Sequence, residues 1–131
     1  MNTHRLEPLQ ILDWYDGVVL ALARASWRSG VLLLSLLAWT QTEGERIFAL
    51  VPVTEAQAET IKSMKDWETL KQYLQAIAAE ASGDILLVRL NEDQDEIVRE
   101  VSVGVRDVQM DLFGDVESAL GSERRRWFDL V

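Results

Sequence analysis

The sequence predicts an α+β domain: a mostly antiparallel sheet of about six strands, with two central helices packed on one face. Three observations carry this. Four apolar stretches between residues 9 and 53 are joined by short, turn-type links, as in an antiparallel meander. From Thr54 to Ala81 the apolar spacing changes to three and four residues, the period of a helix. Two further strand-like stretches follow, at 84–90 and 97–105. The 131 residues suit one domain, 1–131. No internal repeat or Pro-rich linker divides them.

Each element has a local reason. Residues 9–15 read as a first strand, and Asp16-Gly17 as a two-residue hairpin turn, because Gly accepts the positive φ such a turn needs. Residues 18–24 return. After a turn at 26–30, residues 31–39 are apolar on both faces, so this strand is central and covered on both sides. A buried helix is the other reading of that run. Gly30 before it and the polar turn at 41–44 favour the strand. Residues 45–53 form the fourth strand, with Pro52 near its end. Thr54 and Gln57 have capping-box spacing for a helix to about Ser63. Asp66 caps a second helix whose Trp67, Leu70, Leu74, Ile77 and Ala81 form one buried stripe, ended by Ser82-Gly83. In the sixth strand Ile97, Val101, Val103 and Val105 share a face with Arg99. Beyond Asp107 the pattern supports only a short helix at 115–120 and a last helical turn capped by Ser122.

The composition excludes several chemistries. There is no Cys, so no disulfide, thiol nucleophile or cysteine zinc site is possible. The one His, His4, lies in the N-terminal segment, which argues against a His-based triad, and a single His cannot make an HExxH site. No GxGxxG, GxxxxGK[ST] or GxSxG pattern occurs. Asn91, Asp93 and Asp95 alternate as in the start of a calcium loop, but Glu96 and Ser102 occupy the places of its turn Gly and bidentate Glu. That stretch reads as an acidic hairpin loop. Asp13 and Asp16 flank Trp14 and Tyr15; the turn explains Asp16, and a half-exposed strand explains Asp13. No residue is assigned a catalytic, cofactor or metal role.

The net charge is −9, and residues 81–131 hold 12 acids against 6 Arg. Such a chain repels phosphate backbones, so nucleic acid is not an expected partner. The basic cluster Arg124, Arg125 and Arg126 reads first as a solvated helix end. The longest apolar run, 31–39, falls short of the ~20 residues of a spanning helix, and acids interrupt the N-terminal stretch where a signal peptide needs an apolar core. No membrane association is expected, and the default compartment is the cytoplasm. Trp67 and Trp39 are expected in the core, with Trp14 less defined. Trp27, in a turn beside Arg28, and Trp127, after three Arg, are expected at the surface. Trp with Arg is a composition favoured at interfaces. The candidate interaction residues are therefore Trp27, Arg28, Arg124, Arg125, Arg126, Trp127 and Phe128. The basic-aromatic segment 122–131 is expected to dock, on its own domain or on a partner.

Residues 6–17, with Tyr15-Asp16-Gly17, and residues 48–54, with Val51-Pro52-Val53, resemble a family of small uncharacterised bacterial proteins. The resemblance spans about residues 6–80. It implies the order strand, turn, apolar strands and helix, and it carries no catalytic or binding residue.

These readings point to a small cytoplasmic, non-catalytic protein-interaction module of accessory, antitoxin-like or immunity-like kind. Its partner is another protein or a second copy of itself. The other class is a small-molecule-binding domain, or an enzyme using carboxylate or lysine chemistry. A cleft with converging Asp, Arg and Tyr side chains would favour that class.

Overall fold

The computed structural model describes residues 5–40, 44–91 and 96–131. Six strands form one antiparallel sheet in chain order: β1 (Leu6–Trp14), β2 (Val18–Ala25), β3 (Val31–Thr40), β4 (Glu45–Val53), β5 (Asp84–Leu90) and β6 (Ile97–Gly104). Helices α1 (Glu55–Ser63) and α2 (Trp67–Glu80) connect β4 to β5, which are nevertheless neighbours. Three short helices follow: α3 (Val105–Val108), α4 (Val116–Leu120) and α5 (Arg126–Leu130).

The sheet curls until its two edge strands touch. Arg5 bridges Glu96 in antiparallel fashion, and their side chains stand 3.8 Å apart. Leu6 at one edge and Ile97 at the other therefore share a cluster with Ala21, Leu34, Phe48 and Val88 on the enclosed face. The Ala residues of β2 (Ala21, Ala23 and Ala25) suit that tight inner side. On the opposite face Leu22, Leu33, Ile47, Ala49 and Leu87 share a cluster with Ala58 and Ile61 of α1 and with Leu70, Leu74 and Ile77 of α2. β3 is buried along nearly its whole length, as expected of a strand apolar on both faces.

The sheet is split near its middle. β2 pairs with β3 only between Leu20–Ser35 and Ala23–Leu32. Beyond Ser35, β3 continues against β4 as far as Thr40–Glu45. The C-terminal segment enters where β2 and β3 part. The Phe113 N–H donates to Ser35 Oγ at 2.8 Å, Arg124 Nη1 donates to the Leu37 oxygen at 3.2 Å, and α4 lies against β3. Ala119 reaches the enclosed cluster, whereas Phe113, Trp127 and Val131 reach the other. One short segment thus seals both faces.

Local expectations are met at the helix starts. The Thr54–Gln57 capping box is present in both directions, and Asp66 accepts from the Thr69 N–H. Other expectations need correction. The first turn has three residues, not two: Tyr15 leaves the strand, and its N–H donates to the Gly17 oxygen with Asp16 at φ 51° and Gly17 at φ 135°. In β6 a register shift beside Leu90 turns Ile97 onto the enclosed face, away from Val101 and Val103. Val105 begins a helix instead of ending the strand, and Ser122 makes no capping bond. Trp67 is 44% exposed, although Leu70 in the same first turn of α2 is buried. Ala78 takes the last buried place on the stripe, since Ala81 is already the extended C-cap.

The stripe gives a direct test. Leu74 is 1% exposed, so Leu74→Ala is expected to destabilise by about 2–5 kcal/mol in chemical denaturation. Gln72→Ala, on the exposed face, is expected to stay within about 0.5 kcal/mol of the parent. Equal losses would refute the buried face.

Candidate functional site

Two surface features stand out, and both lie near the end of the β1–β2 hairpin. The first depends on Arg46. This side chain sits in the apolar run of β4 and is only 2% exposed. Its guanidinium donates to three main-chain oxygens: Nη1 to Val18 at 2.9 Å, and Nη2 to Tyr15 and Asp16, each at 2.8 Å. It also lies 3.9 Å from the centre of the Trp39 ring, and Trp39 meets Tyr15 edge to face at 5.9 Å. Burial lowers the Arg46 pKa, and the Asp16 carboxylate opposes that shift. A planar fork of donors is the group that can hold several carbonyls at once. Arg46 therefore stitches the hairpin tip back onto β3 and β4.

The stitched tip presents aromatic surface to solvent. Trp14 is 60% and Tyr15 53% exposed, and Leu9 and Ile11 are exposed on the same strand. The buried cation holds the backbone of the turn from which Tyr15 projects, next to Trp14. Such pre-ordering lowers the entropy lost when a partner binds.

The second feature is a cleft of about 240 Å³ at the split in the sheet. Asp13 lines it from β1, Trp67, Lys71 and Leu74 from α2, and Phe113 and Asp115 from the C-terminal segment. Phe113 has φ 58°, a conformation that costs a non-glycine residue about 1–3 kcal/mol. Its bond to the buried Ser35 hydroxyl holds it there. Asp115 caps α4. Its pKa is lowered by the Ser118 N–H and then by the Ser118 hydroxyl, with Lys71 and Arg124 adding to the shift.

In the basic-aromatic segment, the expectation that changes is the surface placement of Trp127. Trp127 is buried, 4% exposed, and its indole N–H donates to Asp111 Oδ2 at 3.0 Å. Arg126 pairs with the same carboxylate, and Arg124 approaches it at 3.6 Å. Phe128 lies under the Arg89 guanidinium, which also donates to the Phe128 and Val131 oxygens and pairs with Glu45. Arg125 stays exposed. Trp27 packs half-buried against the enclosed cluster, and Arg28 is exposed. The structure therefore gathers Arg124, Arg126 and Trp127 around Asp111, in contacts within the chain. Of the calcium-like pattern, Asp93 and Asp95 lie outside the described residues.

Among the described residues, no group of three or more His, Cys, Asp or Glu could hold a metal ion, and no helix is long and apolar enough to cross a membrane. No protein-family model, curated protein or solved structure matches the chain.

Proposed function

We propose that this chain is a non-catalytic protein-interaction module, an accessory or neutralising protein of antitoxin-like or immunity-like kind, and that the hairpin tip is its contact surface. One observation carries the reading: the buried Arg46 ties down the backbone of the turn beside Trp14, while Trp14 and Tyr15 stay 60% and 53% exposed. Large aromatic residues on a rigid support are the residues that dominate interfaces. The contact surface lies on β1 and not on the basic-aromatic tail, whose Trp127 is occupied within the chain. Helices α1 and α2, packed together on one face of the sheet, form the scaffold in this reading. Their shared cluster with β2–β5 supports it. The net charge of −9 favours a protein partner over nucleic acid.

Trp14→Ser and Tyr15→Ser test the assignment, because neither removes a core side chain. Both variants are expected to melt with the parent. Native protein recovered from its source is expected to carry a stoichiometric partner, or to show a dimer mass in light scattering, and either variant is expected to lose it. Retention of the same partner or mass by both variants refutes the tip as the interface. A second reading, a small-molecule-binding domain, is favoured by the mixed-charge cleft beside α2.

A further inference from the structure

The tip of the β1–β2 hairpin joins exposed aromatic surface to negative charge. Residues 7–17 hold Glu7, Asp13 and Asp16 and no Lys, Arg or His. The cations around them are engaged elsewhere. Arg24, opposite Glu7 on β2, pairs with Glu55 at 3.3 Å, and Arg5 pairs with Glu96. Lys71 shares the cleft with Asp13 and supports the Asp115 carboxylate. Arg46 offsets the Asp16 charge from below, but it is buried and its terminal nitrogens donate to main-chain oxygens. The chain also shows what its other large rings receive. A guanidinium lies by the rings of Trp39, Phe128 and Trp127, supplied by Arg46, Arg89 and Arg126. Among the described residues Trp14 and Tyr15 receive none, although they are the two most exposed aromatic side chains. Ile11 and Trp14 oppose Ala21 and Val18, which belong to one cluster, so the two share a face of β1.

We propose that the hairpin tip binds a basic segment of another protein, with arginine side chains over Trp14 and Tyr15 and aliphatic carbon against Ile11. The inference rests on the tip being the contact surface and names the chemistry of what it contacts. An aromatic face attracts a guanidinium, and nearby carboxylates strengthen the field that the cation enters. Asp13 and Asp16 supply that field as neighbours in the chain; they steer the cation and set the salt dependence of binding. A second copy of this chain brings the same net charge of −9, so complementarity selects a different, basic protein. The contact is made by side chains. β1 is an edge strand, but Pro8 and the register shifts along it blunt that edge against strand addition.

Heteronuclear NMR titration of the full chain with synthetic hexapeptides tests the proposal. One alternates arginine and leucine, a second has citrulline in place of arginine, and a third has glutamate. The arginine peptide is expected to shift the signals of residues 11–16 saturably with Kd below about 1 mM, and the other two to bind at least about tenfold more weakly. Raising NaCl from about 20 to about 300 mM is expected to weaken the arginine peptide at least about threefold. Trp14→Ser is expected to weaken it at least about fivefold, and Asp13→Asn combined with Asp16→Asn about threefold. Glu80→Gln, at an exposed position on α2, is expected to leave it unchanged. No saturable binding of the arginine peptide up to about 10 mM overturns the proposal. So do a citrulline peptide that binds as tightly, shifts confined to other acidic surfaces, or an equal loss on Glu80→Gln. If Trp14→Ser strips the native partner while arginine holds no advantage over citrulline, the tip remains the contact surface and the basic partner alone is refuted. The peptide series uses the unaltered chain, so it decides the question even if a variant folds poorly.

Discussion

Arg46→Ala is expected to destabilise the protein by about 3–5 kcal/mol, among the largest effects available to one substitution. The residue donates three hydrogen bonds from a charged group, and bonds of that type contribute about 1.5–3 kcal/mol each before the cost of burial is set against them. Removing it leaves the oxygens of Tyr15, Asp16 and Val18 without their donor, and leaves a void beneath Trp39. Arg46→Lys is expected to recover only part of the loss, because an ammonium is a point charge that neither spans three carbonyls nor stacks flat on an indole. Arg46→Met separates charge from bulk: it refills the volume and restores no donor. Urea denaturation measures all three. A lysine variant as stable as the parent, or an alanine variant within about 1 kcal/mol of it, contradicts the stitching role. Loss of stability is expected together with red-shifted tryptophan emission, since release of the tip uncovers Trp39.

The local parts of this fold were legible in the sequence because local chemistry specifies them. β4 and β5 keep the bounds their turn residues suggest, and the Thr54 and Asp66 caps are formed by residues three positions away. Short links implied a meander of the first four strands; that pairing also continues in chain order across the two helices is decided by the fold and not by any link. The errors fall where distant residues decide the outcome. Nothing near Trp67 in the chain tells that it stays 44% exposed while Leu70, one turn on, is buried. Nothing near Trp127 tells that Asp111 receives its indole N–H. The face of Ile97 depends on a bulge opposite Leu90, which alternation alone cannot place.

The candidate site was less legible than the fold for the same reason. An arginine inside an apolar strand was the available signal for the hairpin tip. The partners of Arg46 lie about 30 residues away, and they become partners only when the tip folds back onto the sheet. The cleft needs four converging segments, one of them the stretch beyond Asp107 where periodicity fades. The basic-aromatic end was the visible feature, and its chemistry suggested docking without saying where. Its dock is the split between β2 and β3, a gap that no pattern along the chain records.

Truncation after Gly121 is expected to abolish cooperative folding. The deleted residues include Trp127 and Val131, each 4% exposed, and Arg124, which bonds the Leu37 oxygen inside the split. Burial of a side chain the size of Trp is worth about 3–5 kcal/mol by truncation to Ala. A whole domain is stable by only about 5–15 kcal/mol. The deletion also strips Asp111 of Arg124, Arg126 and the Trp127 indole together, and leaves a half-buried carboxylate without its cations. Trp127→Ala gives the graded form of the same test: a loss of about 3–5 kcal/mol in a chain that still folds. Arg125→Ala, at an exposed position between two engaged arginines, is expected to stay within about 0.5 kcal/mol of the parent. Light scattering on Trp127→Ala separates a clasp within the chain from an interface between copies. An unchanged mass with lowered stability is the expected result. A fall in mass with little change in the monomer's stability assigns Trp127 to an interface, and a truncated chain that melts with the parent shows that the split is sealed without the segment.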